Sequence, residues 1–188
     1  MKINQVYIDL DGVLANVVAQ LEKYLSLIYT PILGEYDFTK TFNVPRAVID
    51  RAFDDHHFWA TLPVYRWADT LIEFFLAHGV FIFFVTHAVD SENAFSGKYE
   101  WFARHFHKYR SDLIFIQGSH PDSTHPGCRH NLAAPDRLLV DDHTENVKAW
   151  VLNEGPAILF PQTWNINHER QNNPMKYVMD RFAEITDE

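Results

Sequence analysis

The chain has 188 residues, 47% of them hydrophobic and 15% aromatic, and its formal net charge is -9. Its length suits one domain with a small insertion, and its hydrophobic content excludes a disordered chain. The acidic balance argues against a nucleic acid polymer as partner, because proteins bind phosphate backbones through Lys and Arg.

Hydrophobic patterning predicts strands and helices that alternate along the chain. Short apolar runs bounded by turn residues indicate buried strands, and apolar residues that recur every three or four positions indicate helices. In chain order, the predicted elements are strand 5–10, helix 17–29, irregular segment 30–44, helix 45–54, helix 67–78, strand 80–85, helix 96–106, strand 113–117, loop 118–131, strand 137–140, helix 144–154, strand 157–160 and helix 174–184.

This alternation predicts an α/β fold, a Rossmann-like parallel sheet with helices on both faces. Ligands of such sheets bind beyond the carboxyl ends of the strands. We therefore expect the polar residues that follow four of the strands to meet at one place. These residues are Asp9, Asp11, Thr86, His87, Arg129, Asp141 and Asp142.

The four aspartates in this set favour a metal-assisted phosphoryl transfer. Asp9 and Asp11 are two residues apart, so an extended chain directs both to the same side. Clustered carboxylates need a cation, and oxygen ligands suit Mg²⁺. A carboxylate can attack phosphorus to form an aspartyl-phosphate, and a second carboxylate can act as acid and then as base. An EF-hand is disfavoured, because the further oxygen ligands and the closing Glu of its loop are absent after Asp9.

A second group of candidate metal ligands lies in the loop predicted for residues 118–131. It consists of His120, His125, Cys128 and His130. These residue types suit Zn²⁺, but their spacing matches no standard structural site, and two prolines make the segment irregular. The pattern favours an ordinary loop over a zinc site.

The single cysteine, Cys128, excludes an internal disulfide and fits a reducing compartment. The N-terminal sequence runs directly into a strand pattern without a signal peptide. No apolar stretch is long enough to cross a membrane. We therefore expect a cytoplasmic protein that acts on a small molecule and has no membrane partner.

Several motifs resemble those of phosphatases of the haloacid dehalogenase (HAD) superfamily. They are DLDGVLA at residues 9–15, Thr86 within FFVTHA, and LLVDD ending at Asp141 and Asp142. More narrowly, SGKYEWFARHF, HHFWATLPVYRWADTL and RHNLAAPDRLLVDD resemble segments of the 5′(3′)-deoxyribonucleotidases, the cytosolic type C 5′-nucleotidases. The resemblance covers about residues 3–160.

The resemblance implies a HAD-like core at residues 1–16 and 63–188 and a small helical cap at residues 17–62. It implies a Mg²⁺-dependent phosphatase that hydrolyses deoxyribonucleoside or ribonucleoside monophosphates. Asp9 would be the nucleophile and Asp11 the acid and base. Mg²⁺ would be held by Asp9, Asp11 through its carbonyl, and Asp142, with Asp141 as a further candidate ligand.

The resemblance also assigns the residues that bind substrate. Thr86 and His87 would hold the phosphate. The cation of the third motif, usually Lys, corresponds to Arg129, and Lys98 is the rival for this role unless it is an ordinary surface lysine. The cap aromatics that could stack on a base, or simply form the core of the cap, are Phe38, Phe42, Phe53, Phe58 and Trp59. Val17 would form the pocket floor, and Phe53 and Trp59 align best with the pocket of the family.

Two other functions fit the same residues. One is a HAD phosphatase of a phosphosugar or another small phosphometabolite. The other is a binding protein that kept the fold and lost activity. The presence of all the acidic motif residues argues against a silent protein, and the aromatic cap favours nucleotides over sugars.

Overall fold

The computed structural model describes residues 1–88, 91–117 and 128–187. Its strands are β1 (Gln5–Asp9), β2 (Phe81–Ala88), β3 (Leu113–Gln117), β4 (Arg137–Asp141) and β5 (Ala157–Leu159). They form one sheet in the order β3-β2-β1-β4-β5, and every neighbouring pair is parallel. The predicted Rossmann-like α/β fold is confirmed.

Helices follow or connect the strands. They are α1 (Val17–Leu25), α2 (Phe38–Thr41), α3 (Arg46–Phe53), α4 (His56–Ala60), α5 (Ala68–Ala77), α6 (Glu92–His105), α7 (Thr144–Leu152) and α8 (Pro174–Asp187), with 3-10 helices at His107–Asp112, Cys128–Leu132 and His168–Arg170. Helices α1 to α4 occupy the segment for which a cap is predicted, and the cap boundaries stay a prediction. Within the described residues, no helix combines the length and apolarity needed to cross a membrane.

The sheet is buried on both faces. Alternate residues of β1 enter different apolar clusters, because side chains alternate across a strand. Val6 and Ile8 pack into the larger cluster. Tyr7 packs with Leu139 and Trp150 on the other face. Burial on both faces explains why strands such as β4 are almost continuously apolar.

Helix α1 ends four residues before its predicted end. Ser26 adopts a left-handed conformation (φ 54°, ψ 38°), and its N–H bonds to the carbonyl of Glu22. The Glu22 carboxylate then accepts the N–H of Tyr29 at 2.9 Å. These bonds stop the helix and redirect the chain toward the short helix α2, in the segment predicted to be irregular.

Strand β2 is longer than predicted, and this corrects the predicted placement of two site residues. Thr86 and His87 are residues of the strand, not of the segment after it, because β3 pairs with Phe84 to Ala88. Helix α6 starts at Glu92 instead of residue 96, because the Ser91 side chain caps it by accepting the N–H of Ala94. Pairing and capping thus extend both elements beyond their apolar patterns.

Candidate active site

The carboxyl edge of the sheet gathers three of the predicted aspartates. Strand β1 pairs with β2 on one side and with β4 on the other. Successive strands are added in opposite directions on the two sides of β1, and in such sheets a crevice forms beyond the carboxyl ends of the strands. Asp9 is the last residue of β1, Asp141 is the last residue of β4, and Asp142 follows it. One carboxylate oxygen from each lies within 4.8 Å of those of the other two. All three residues are buried.

Gly12 allows the turn after β1 to approach Asp142. Its φ of 78° lies in the left-handed region that favours glycine. A Cβ atom at this position would overlap the Asp142 carboxylate. The turn therefore needs glycine for its conformation and for the space beside the acidic cluster.

Arg129 joins the carboxylates of the two central strands. The residue is 3% exposed, and its guanidinium donates to Asp9 Oδ1 at 2.9 Å and to Asp141 Oδ2. Burial raises the pKa of the Asp9 carboxyl, and the guanidinium acts in the opposite direction. Arg129 therefore lies on the acidic cluster as a counter-ion.

The two neighbouring carboxylates of Asp141 and Asp142 have different surroundings. Asp141 accepts bonds from the N–H of His143 at 2.8 Å, from Asn146 Nδ2 at 3.2 and 3.1 Å, and from Arg129. Among the described residues, the Asp142 carboxylate accepts a hydrogen bond from one side chain, that of Trp164, whose Nε1 lies 2.6 Å away. Burial, and then the charges of Asp141 and Asp9, raise the pKa of Asp142 well above its usual range. The negative charge of Asp142 is thus less compensated by hydrogen-bond donors than that of Asp141.

The charges of this cluster fit a divalent cation. Among the described residues, three buried carboxylates face the single guanidinium of Arg129, so negative charge is left uncompensated. Buried charge of this kind is costly without a counter-charge. The available donors are carboxylate oxygens, which Mg²⁺ prefers. Asp9, Asp141 and Asp142 therefore fit the metal implied by the sequence.

Lys98 contacts a different carboxylate from the two that Arg129 contacts. It is 2% exposed on α6, which excludes a solvated surface lysine. Its Nζ atom donates to Asp11 Oδ2, to Thr86 Oγ1 at 3.2 Å and to the carbonyl of His87. It also lies 4.3 Å from the ring centroid of Trp59. The structure thus brings Lys98, Asp11, Thr86 and His87 together.

Two polar atoms beside Lys98 have no hydrogen-bond partner among the described residues. They are Asp11 Oδ1 and His87 Nε2. Burial, with the charges of Arg129 and Lys98, lowers the pKa of His87 to about 3, so its imidazole is neutral near pH 7. A neutral imidazole and a carboxylate oxygen can therefore receive polar groups of a ligand.

These residues form the polar end of a cavity of about 520 Å³. This volume lies within the roughly 300–1,000 Å³ typical of small-molecule pockets. The polar end is formed by Asp11, His87, Lys98 and Asp142. Val17, Phe53 and Trp59, which were predicted to contact substrate, also line it. The cavity therefore combines a charged end with a wall in which apolar side chains are interspersed with polar ones.

The predicted cap aromatics differ in how much of their ring surface is available to this cavity. Trp59 is 3% exposed, and its Nε1 donates to the carbonyl of Phe53 at 2.7 Å. Phe53 is half-buried and stacks obliquely on Trp59, with ring centroids 5.1 Å apart. Phe42 and Phe58 are buried in the core and do not line the cavity. Phe53 therefore offers more free ring surface than Trp59.

The structure adds lining residues that the sequence did not single out: the apolar or aromatic Tyr36, Ile49 and Trp164, and the polar Glu35, Asp37, Thr39 and Arg46. Tyr36 precedes α2, and the predicted cap aromatic Phe38 is the first residue of that helix, in the segment predicted to be irregular. Trp164 comes shortly after β5, at the same edge of the sheet as Asp142. The sequence could have marked the segment, because it follows a strand, but it carried no signal for the indole itself.

The candidate zinc ligands fall largely outside the described residues. His120 and His125 lie there, as does the side chain of Cys128. His130 belongs to the 3-10 helix Cys128–Leu132, next to Arg129.

Comparison with known proteins gives similarity in structure only. The chain matches no protein-family model and no curated protein sequence. A hydrolase from Streptococcus pneumoniae is similar over 96% of this chain and 100% of its own, with 16% identity and a TM-score of 0.49. A HAD hydrolase of family IA, variant 3, from Entamoeba histolytica is similar over 92% and 90%, with 12% identity and a TM-score of 0.48.

A third similar structure is a HAD family enzyme from Bacteroides thetaiotaomicron in a magnesium complex. The similarity covers 87% of this chain and 95% of that one, with 11% identity and a TM-score of 0.46. All three scores are below 0.5, so the fold assignment rests on the strand order and pairing of this chain itself. Similarity at this level does not establish membership of a family.

Proposed function

We propose that this chain is a Mg²⁺-dependent phosphatase of the HAD type that hydrolyses nucleoside monophosphates. One observation carries the proposal: Asp142 of the buried carboxylate cluster lines the same cavity as Asp11 and the buried Lys98, and aromatic rings form part of the remaining wall. Such an arrangement suits a substrate with a phosphate at one end and a flat, weakly polar group at the other.

In the proposed reaction, a carboxylate oxygen of Asp9 attacks phosphorus, and the bond from phosphorus to the ester oxygen breaks. Asp11 donates a proton to that oxygen, so that the alcohol leaves. Asp11 then takes a proton from a water molecule, whose oxygen attacks the phosphorus of the aspartyl-phosphate. Inorganic phosphate and the original Asp9 carboxylate result.

Asp9 and Asp142 would hold the metal, together with the main-chain carbonyl of Asp11. We assign Asp142 instead of Asp141, because Asp141 already accepts bonds from Arg129, His143 and Asn146. When bound, the cation would offset the charge of the carboxylates and polarise a phosphoryl oxygen. Asp141 would then anchor Arg129 beside Asp9.

The phosphate would be bound by Lys98, Thr86 and His87. The Lys98 ammonium already contacts Asp11 and Thr86, so it lies where negative charge develops during transfer. The neutral His87 ring adds a hydrogen-bonding group without changing the charge of the site. This placement favours Lys98 as the phosphate-side cation and Arg129 as the counter-ion of Asp9.

The aromatic rings of the cavity wall support a nucleotide as the substrate. Phe53, Phe38 and Tyr36 line the cavity with their rings at least partly exposed. Bases stack on such rings with a gain of about 1–3 kcal/mol per base. A sugar phosphate has no flat ring to use this wall, so we rank it second.

The test is phosphate release from a panel of nucleoside monophosphates and sugar phosphates, with Mg²⁺ and after chelation. We expect the highest kcat/KM on nucleotides, and no turnover without the cation. Asp9→Asn should abolish turnover with an unchanged circular dichroism spectrum, because an amide is a far poorer nucleophile. Asp69→Asn, at an exposed position of α5, is the matched control and should remain active.

Phe53→Ala separates the substrate classes. It should lower kcat/KM on nucleotides about tenfold to a hundredfold, which corresponds to the loss of one stacked base. A small aryl phosphate should lose much less. Higher turnover of a sugar phosphate than of every nucleotide would favour the metabolite phosphatase, and full activity of Asp9→Asn would remove Asp9 from its role.

A further inference from the structure

The segment after β5, residues 160–165, forms a buried polar layer against the acidic cluster. Three of its side chains, Gln162, Trp164 and Asn165, are 6%, 7% and 2% exposed. Asn165 Nδ2 donates to the carbonyls of Asp142 and Phe160, both at 2.8 Å. Two amides and an indole buried this deeply in a connecting segment are unusual, since connections mostly lie on the surface.

The same segment contacts the turn after β1. Gln162 Nε2 donates to the carbonyl of Gly12, the residue whose missing side chain makes room for the Asp142 carboxylate. Trp164 Nε1 donates to Asp142 Oδ2 at 2.6 Å. One segment thus holds both chain turns that form the acidic cluster.

Trp164 is also packed on its other side. Its ring meets those of Tyr36 and Phe38 edge-on, with centroids 6.1 and 6.4 Å apart. Next to it, the carbonyl of Thr163 accepts the N–H of Gly34 at 3.1 Å. The indole therefore packs against these two rings and cannot rotate away from Asp142 without losing these contacts.

We propose that Trp164 is a positioning residue for the cation site. Its N–H occupies one oxygen of Asp142 and fixes the plane of that carboxylate, which leaves the second oxygen for the cation. The inference rests on the proposed function, because it takes Asp142 as a metal ligand. Donors that orient metal ligands in this way commonly change metal affinity tenfold to a hundredfold when they are removed.

The test measures binding of Mn²⁺ alone, which accepts the same oxygen ligands as Mg²⁺. Free Mn²⁺ is followed by electron paramagnetic resonance, with no substrate present. Trp164→Phe keeps a ring beside Tyr36 and Phe38 and removes the N–H, and we expect its Kd to rise about tenfold to a hundredfold. Trp150→Phe is the matched control. That indole is fully buried and donates to the carbonyl of Arg137 at 3.1 Å, so its loss should leave the Kd unchanged.

An unchanged Kd in Trp164→Phe would overturn the inference, as would an equal rise in Trp150→Phe. If Trp164→Phe does not fold, benzothienylalanine at position 164 keeps the ring system and replaces the N–H by sulfur, and the same rise is expected. Failure of the wild-type protein to bind Mn²⁺ would overturn both this inference and the proposed metal dependence. Binding that depends on Trp164 in a protein without phosphatase activity would support the positioning role and refute the proposed function.

Discussion

At the scale of single residues, two buried cations divide the carboxylates between them. Arg129 pairs with Asp9 and Asp141, whose side chains are 6% and 0% exposed. Lys98 pairs with Asp11, whose side chain is 23% exposed. Water can therefore reach Asp11 if its partner is lost, but it has little access to Asp9 and Asp141. The two cations should thus have different effects on stability and on catalysis.

We predict that Arg129→Ala lowers the free energy of unfolding by about 3–5 kcal/mol, because it leaves two buried carboxylates without a counter-ion. Lys98→Ala should lower it less. Its main effect should be a loss of about a hundredfold to a thousandfold in kcat/KM, as expected for removing a charge that stabilises the transition state. Urea unfolding and steady-state kinetics measure both quantities.

The control for both variants is Lys148→Ala, which removes an exposed charge from α7. It should change neither quantity appreciably, because exposed ion pairs contribute about 0–1 kcal/mol. A Lys98→Ala protein with wild-type kinetics would contradict the assignment of Lys98 to the phosphate. A stable Arg129→Ala protein would show that the acidic cluster does not need this counter-ion.

At the scale of elements, α4 is fixed to α6. Gly97 allows this contact, because a Cβ at that position would lie 2.5 Å from the carbonyl oxygen of His56 and 2.8 Å from Trp59 Cβ. His56 also lies within hydrogen-bond distance of Ser96 and Glu100, at 2.9 and 3.0 Å. The helix that bears Lys98 is thereby held against the wall that contains Trp59.

We predict that Gly97→Ala destabilises the protein by about 1–3 kcal/mol, the usual effect of overpacking a tight contact. The sign is informative, because Ala in place of Gly within a helix ordinarily stabilises by roughly 0.5–1 kcal/mol. Urea unfolding gives the value. Tyr99→Ala, at an exposed position of the same helix, is the control and should have a much smaller effect. A stabilised Gly97→Ala protein would mean that α4 can move away from α6 at little cost.

The elements also show where prediction from sequence succeeds. The strands were located from their apolar runs, because burial on both faces leaves a local pattern. Helices α2 and α4 have 4 and 5 residues, too few for a helical period, and depend on side-chain caps by Asp37 and Asp55. The end of β2 is set by its pairing with β3, which is a non-local contact.

In the candidate site, too, local patterns were predictable from the sequence and non-local contacts were not. Asp9, Asp141 and Asp142 could be placed together from the rule that strand ends meet at one edge of a parallel sheet. The contacts of Lys98 and Arg129 could not be assigned, because they depend on how α6 and the Cys128–Leu132 helix pack over that edge. Trp164 was missed, since its role depends on the segment after β5 folding back onto Asp142.

For the stability of the chain as a whole, the acidic cluster is a source of electrostatic repulsion between the central strands. Asp9 ends β1 and Asp141 ends β4, so the energy of the cluster bears directly on the middle of the sheet. A cation bound there would be bound by the folded chain alone, because the unfolded chain separates Asp9 from Asp142 by more than 130 residues. Metal binding should therefore be linked to global stability.

We predict that saturating Mg²⁺ raises the free energy of unfolding by about 2.7 kcal/mol at a concentration one hundred times the Kd. For a chain of this size, that corresponds to a rise in Tm of roughly 5–10 °C.

Asp142→Asn removes one charge from the cluster at nearly constant volume. We expect this variant to be at least as stable as wild type without metal, because repulsion falls, and to lose most of the rise with Mg²⁺. Thermal unfolding in Mg²⁺ and in Na⁺ of equal ionic strength separates specific binding from screening. Equal Tm values in the two salts would contradict a metal site between the central strands, whereas a full Mg²⁺ response in Asp142→Asn would transfer the ligand role to Asp141.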